Sequence, residues 1–160
     1  MDSTTLAIQL IDLLKAQKKT ITTVESCTGG LIGGAITSIS GSSEVYETGF
    51  ITYSNAAKTA RVGVPEMLFS LYGAVSEEVA FAMAEGGLKT AGADIALSVT
   101  GIAGPGGGSA EKPAGMVCFG LSYGRETLTR TQQFGNIGRD QVREKSVIHA
   151  LSWAIDALRS

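Results

Sequence analysis

Between residues 94 and 115 the chain reads DIALSVTG and then, without pause, IAGPGGGSAEKPAG. The first stretch has the composition of a strand buried on both faces, and such strands belong to sheets covered by helices. The second is a loop, too rich in glycine and proline for a helix or strand. A buried strand that empties into a glycine loop is the plan of a layered α/β domain.

The remaining pattern agrees with that plan. Leu6, Leu10, Leu13 and Leu14 fall at helical spacing within residues 4–18. Thr20 to Glu25 is short and β-branched and reads as a strand. Ser26-Cys27-Thr28-Gly29-Gly30 breaks it, and a helix is expected from there to about Ile39. Gly33 and Gly34 weaken that helix by about 1 kcal/mol each against Ala, so close packing or a ligand is expected to offset them. A turn at Gly41-Ser42-Ser43 leads to a second strand, Glu44 to Tyr53. Ser54 or Asn55 caps a short helix to about Val62, Pro65 opens another helical turn, and Ser76 caps a helix to about Ala91. Val79, Met83 and Leu88 would lie on or near that helix's inner face. Met116–Ser122 and Glu126–Phe134 read as two more strands, the second half-exposed. From Gly138 onward the chain reads as helix, with Val147, Leu151, Ala154, Ile155 and Leu158 as its apolar stripe. The expectation is one domain over residues 1–160, a mixed sheet covered by helices.

Composition narrows the chemistry. A net charge of −2 gives no basic footprint for nucleic acid. No run approaches the ~20 apolar residues of a membrane span. Two unpaired cysteines, Cys27 and Cys118, and the lack of a basic-apolar leader suggest a reduced, cytoplasmic setting. The single histidine, His149, falls on the polar side of the last helix together with Lys145, Ser152 and Asp156. It is expected to be a solvated surface residue, which removes His-based catalysis and a His-rich metal site. P-loop, dinucleotide-fold and GxSxG signatures are absent.

Three segments could carry chemistry. Ser26 to Gly30 lies where a strand hands over to a helix, and free amides there attract an anion or stabilise an oxyanion. The same residues also fit plain capping. In Tyr53-Ser54-Asn55-Ala56-Ala57-Lys58, a lysine falls in the first turn of a helix, where a cation is disfavoured. Desolvated, such an amine titrates low and can serve as a base; solvated, it is an ordinary surface lysine. The loop from Gly101 to Lys112 offers backbone to an anion, with Thr100, Ser109 and Lys112 nearby. A plain surface loop has the same composition.

Taken together and in order, TTVESCTGG, GFITYSNAAK, GAVSE, SVTGIAGPGGGS and EKPAGMV resemble the C-terminal domain of CinA proteins. This competence/damage-inducible family includes stand-alone nicotinamide mononucleotide deamidases. The resemblance covers nearly the whole chain. Many members also carry an N-terminal domain related to molybdopterin-binding proteins. This chain is expected to lack it, since it starts directly with the deamidase-like part.

The resemblance implies hydrolysis of nicotinamide mononucleotide to nicotinic acid mononucleotide and ammonia, without metal or organic cofactor. It matches Ser26 to the family's nucleophile, and Tyr53 and Lys58 to its tyrosine and lysine; either of these two could be the immediate base. Cys27 stands beside Ser26 as a rival nucleophile, and Glu25, Asn55 and Arg61 could orient groups. Thr28, Gly29 and Gly30 are expected to hold the oxyanion. Either these amides or the loop with Thr100, Gly101, Gly104, Gly106, Gly107 and Ser109 could hold the phosphate, and the loop is the one expected to. The alternative function is a pyridine-nucleotide-binding or regulatory module without turnover. The partners expected are that small molecule and further copies of the chain in a homo-oligomer.

Overall fold

The structure is a computed structural model that describes residues 1–160. Five strands form one mixed sheet in the order β2-β1-β3-β4-β5. They are β1 (Ile21–Glu25), β2 (Phe50–Ile51), β3 (Ile95–Gly101), β4 (Met116–Tyr123) and β5 (Glu126–Gln133). β1 runs parallel to β2 and β3; β4 and β5 are antiparallel additions. Six α-helices complete the domain: α1 (Ser3–Gln17), α2 (Leu31–Thr37), α3 (Asn55–Val62), α4 (Glu66–Tyr72), α5 (Glu77–Ala91) and α6 (Arg139–Arg159).

The two faces of the sheet are built differently. α1, α2 and α6 pack on one face over a core of 25 buried residues, including Leu10, Ile32, Leu97, Phe119 and Leu151. α5, with α3 and α4 beside it, covers the other face over only five: Val24, Val62, Val64, Val79 and Met83. That second face is thin because α5 sits almost on the strands. A Cβ on Gly120 would come within 2.5 Å of the Ala80 carbonyl, and one on Gly87 within 2.3 Å of Val24. The Ser98 hydroxyl donates to the same Ala80 carbonyl at 2.6 Å, so the approach is fixed by hydrogen bonding as well as by small residues.

Helix starts follow local sequence closely. Asp2, Ser54 and Ser76 each accept a backbone amide three residues on. α2 has no such cap at Gly30. Its amides at Ile32 and Gly33 instead donate to the buried carboxylate of Glu25, at 2.9 Å each, and the Thr28 hydroxyl donates to it at 2.6 Å.

The expected strand Glu44–Tyr53 shrinks to Phe50–Ile51. Ser42–Glu44 forms a 3-10 turn, and Tyr46 folds inward to share a 2.7 Å hydrogen bond with the Thr23 hydroxyl. The Thr22 hydroxyl donates to the Thr48 carbonyl, so side chains of β1 replace the ladder over this stretch. Tyr46 also accounts for Gly33, where a Cβ would stand 2.6 Å from its hydroxyl; Gly34 has nothing within 4 Å and no packing reason.

His149 is the second correction. It is half-buried, with its ring centroid 4.5 Å from Phe119 and 6.2 Å from Trp153, and its Nε2 is enclosed without a hydrogen-bond partner. α6 touches α1, α2, β3 and β4, so it buries more of its circumference than one apolar stripe.

Candidate functional site

The carboxyl ends of β1 and β3 point to the same edge of the sheet, and open α/β sheets take ligands there. A cavity of about 250 Å³ lies at this edge. β1 delivers Ser26 and Cys27, the turn after β2 delivers Tyr53, α3 delivers Asn55 and Lys58, and β3 delivers Thr100 and Gly101. Ala74 and Val75, just ahead of α5, and Arg139, at the start of α6, complete the lining with Ala103.

Lys58 stands out chemically. Its side chain is only 2% exposed although it sits in the first turn of α3. Its Nζ donates to the Ser26 hydroxyl at 3.1 Å. No carboxylate lies within salt-bridge reach of it; the chain's one ion pair is Lys15–Glu44, at 4.0 Å. Burial therefore holds the Lys58 amine below its ordinary pKa of 10.5. An amine that is buried, uncompensated and bonded to a serine hydroxyl is suited to taking that hydroxyl's proton.

Cys27 points the other way. It belongs to the large core, and burial pushes its thiol up to about 12. It thus lacks the thiolate character that a cysteine nucleophile needs. Adjacent residues diverge here, with the Ser26 hydroxyl toward Lys58 and the Cys27 side chain into the core.

Tyr53 is 61% exposed at the mouth, and its hydroxyl accepts from Arg139 Nη2 at 2.8 Å rather than bonding to Ser26 or Lys58. Arg139 also donates through Nη1 to the Gly104 carbonyl at 3.2 Å. It thereby places a guanidinium between the Ser26 cavity and the glycine loop. The sequence reading passed over this residue. Its signal was the one noticed for Lys58, a cation in the first turn of a helix.

The other expected residues divide. Thr28 is buried, with its hydroxyl committed to Glu25, and Gly29 donates its amide to the Ser26 carbonyl. Neither these nor Gly30 line the cavity. The amides of Cys27 and Thr28 donate to no backbone carbonyl, and of the two residues only Cys27 lines the cavity beside Ser26. Arg143 steadies this turn from α6 by donating to the Cys27 and Thr28 carbonyls at 3.2 and 3.3 Å. Thr100 and Gly101 line the cavity, with the Thr100 hydroxyl donating to the Ala74 carbonyl.

Gly106, Gly107 and Ser109 line a separate, shallow concavity of about 410 Å³, together with Gln133 and Asn136. Gly104 joins the two regions through its bond to Arg139. Lys112 is turned away, donating to the Tyr72 carbonyl. Arg61 lies outside the site and lines a different concavity, beside α5. Glu25 is the cap of α2 rather than a group facing the cavity. His149 lines neither concavity.

Fold and site together define an α/β protein with a buried serine–lysine pair at the carboxyl edge of a mixed sheet. Residues 3–158 match the CinA C-terminal domain, and the chain belongs to that family. It is 51% identical over 152 residues to the nicotinamide-nucleotide amidohydrolase PncC of Enterobacter agglomerans, covering 94% of this chain and 92% of that one. To the protein of the same name from Escherichia coli K12 it is 50% identical over 147 residues, with 91% and 88% covered. Longer relatives exist: a CinA-like protein of Kosmotoga olearia is 46% identical over 149 residues, yet this chain spans only 36% of its length. Among solved structures, the competence/damage inducible protein CihA of Agrobacterium tumefaciens superposes with a TM-score of 0.96 at 43% identity, covering 100% and 97% of the two chains. No helix of this chain is long and apolar enough to cross a membrane.

Proposed function

We propose that the chain is a nicotinamide-nucleotide amidohydrolase that converts nicotinamide mononucleotide to nicotinic acid mononucleotide and ammonia. The observation that carries this reading is the buried Lys58 amine, 3.1 Å from the Ser26 hydroxyl in a cavity at the sheet's carboxyl edge. The two PncC relatives, similar over nearly their whole length, support the substrate class.

In this reading the Ser26 oxygen attacks the carboxamide carbon while Lys58 takes the hydroxyl proton. The resulting oxyanion meets the amide of Cys27, next to Ser26 in the cavity lining. Collapse expels ammonia, with Lys58 returning the proton to the leaving nitrogen, and leaves an acyl ester on Ser26. Water, deprotonated by Lys58, then releases the acid and restores the serine. Lys58 is the immediate base. Tyr53 and Arg139 sit further out and orient the nucleotide. The phosphate lies toward Gly106, Gly107 and Ser109, whose loop leaves the amides of residues 106–108 without acceptors in the chain. Arg139 supplies the positive charge between amide and phosphate.

The test is ammonia release from nicotinamide mononucleotide by purified protein without added metal. Turnover that Ser26→Ala abolishes is the expected result. Tight binding by calorimetry with no ammonia over hours would favour a binding or regulatory module instead. Full activity in Ser26→Ala would overturn the serine mechanism.

A further inference from the structure

The cavity that holds Ser26 has a lopsided charge. Its lining contains two basic residues, Lys58 and Arg139, and no acid. Neither cation is paired: the chain's one ion pair lies elsewhere, and Arg139 directs its donors to the Tyr53 hydroxyl at 2.8 Å and the Gly104 carbonyl at 3.2 Å. The other groups around the Lys58 amine bring hydroxyls and a thiol rather than carboxylates. From the end of β1 come the Ser26 hydroxyl and Cys27, whose thiol burial pushes up to about 12. The turn after β2 brings Tyr53, β3 brings Thr100, and the turn ahead of α5 brings only Ala74 and Val75. Glu25 is next to Ser26 in sequence, but its carboxylate is taken up by the Thr28 hydroxyl and the amides of α2.

Given the reaction proposed above, on which this inference rests, substrate and product act on that charge in opposite senses. The ring of nicotinamide mononucleotide is a pyridinium, a fixed cation, and its carboxamide is neutral. Beside Arg139 and without an acid, it favours the uncharged amine at Lys58, the form that takes the serine proton. Hydrolysis reverses this. Carboxamide and water give a carboxylic acid and ammonia; the serine oxygen regains its proton, and the acid's proton passes to the nearest base, the Lys58 amine. Turnover therefore ends with a carboxylate against an ammonium in a buried site, where such a charge-assisted bond is strong. An ammonium left there alone would have nothing to compensate it.

We infer that the Ser26 site binds its own product more tightly than its substrate, by closing a carboxylate–ammonium pair between nicotinic acid mononucleotide and Lys58. Product release then requires this pair to part, and accumulated acid restrains the enzyme. Proton and carboxylate promote each other's binding by the same factor. Product affinity should therefore be constant where free Lys58 is already protonated. Above that it should weaken by about tenfold for each pH unit, as the uptake of one proton requires. The restraint is strongest at the acidic end and relaxes as pH rises.

Titration calorimetry of the wild-type chain with nicotinic acid mononucleotide tests it. At a pH where kcat/KM has levelled off, binding should draw in a proton, seen as heats that differ between buffers of high and low ionisation enthalpy. In Ser26→Ala, where turnover is blocked, the acid should bind about tenfold or more tightly than nicotinamide mononucleotide, and the amide should draw in no proton. Lys58→Met should weaken the acid by about ten- to a hundred-fold and leave the amide nearly unchanged. Lys58→Arg, a permanent cation, should keep the preference for the acid but take up no proton. Equal affinity for the two nucleotides in Ser26→Ala, or wild-type product binding that moves no proton, would overturn the inference. Failure of the reaction itself reads differently: a chain that releases no ammonia yet shows the proton-linked preference for the acid keeps this site and loses the proposed activity.

Discussion

Lys58 and His149 are both nitrogen bases held inside the protein without a carboxylate partner, one on each side of the sheet. Burial lowers the pKa of each, aided at His149 by the nearby Arg130. Yet their surroundings differ in kind. Lys58 opens into a polar cavity and touches a hydroxyl that can use its lone pair. His149 lies against Phe119 and Trp153, with nothing to donate to or accept from at Nε2. A perturbed base becomes chemistry only where a proton has somewhere to go. At His149 the imidazole is a flat filler between two aromatic rings, and the cost of its idle nitrogen is carried by the packing around it.

The largest expected effect breaks the Lys58 side of this contrast. Lys58→Ala should lower ammonia release by about 10³-fold or more, as losing one member of a nucleophile–base unit usually does. Lys58→Arg should be equally inactive, because a guanidinium keeps its charge and cannot take the serine proton. Either variant near wild-type rate would remove Lys58 from the base role.

Next comes the pH profile of kcat/KM. Lys58 must be neutral to act, and its folded pKa lies below 10.5. Activity should therefore fall about tenfold per unit as pH drops below that lowered value. It should level off above it. A rate independent of pH on the acidic side would break the assignment.

A smaller effect concerns stability. With the folded pKa depressed, the folded state holds fewer protons than the unfolded chain, so stability is gained as pH rises from the folded value toward 10.5. At neutral pH the buried amine is a burden. Lys58→Met should raise Tm by about 2–4 °C, equivalent to about 1 kcal/mol in a chain of this size, while activity is lost. A lower Tm would show that the bond to Ser26 stabilises the fold more than amine burial costs it.

Smallest are the changes expected at Cys27 and His149. Cys27→Ala should keep turnover within about fivefold while costing about 1 kcal/mol of stability, as core truncations do. Thiol-directed reagents should leave the native wild type active. His149→Leu should leave kcat unchanged and flatten the loss of stability that wild type shows on acidification. That loss begins below 6.5 and runs through the lowered folded pKa, since the imidazole must charge inside the protein. Denaturant melts at several pH values would detect it.

Much of this arrangement was legible in the residues. β-branched TITTVE, buried DIALSVTG and the serine caps at 54 and 76 announced their elements within a residue or two, because strand ends and helix starts are governed locally. Lys58 was legible as a cation where a helix disfavours one. What stayed hidden was tertiary. Glu44–Tyr53 looks like a full strand, but only Phe50–Ile51 pairs with β1, and ahead of it the Thr22 and Thr23 hydroxyls bond the Thr48 carbonyl and the Tyr46 hydroxyl. Glu25 could have faced the cavity; the missing cap on α2 drew it inward. His149 depended on how many neighbours α6 touches, which periodicity along one helix does not report. Arg139 shows its role only once the glycine loop and Tyr53 have come to it.

That last contact has a consequence for assembly in time. Arg139 reaches Tyr53 across 86 residues of chain, and Arg143 reaches the Cys27 carbonyl across 116. The turn that carries Ser26 and the mouth of its cavity are thus tied down by α6, far along the chain from both. Ser26 and Lys58 precede α6 in the chain, so their surroundings are braced only once contacts of this long range have closed. In hydrogen exchange, fraying of the first turn of α6 should therefore loosen residues 26–30 and 53 together, as one cooperative unit far apart in the chain.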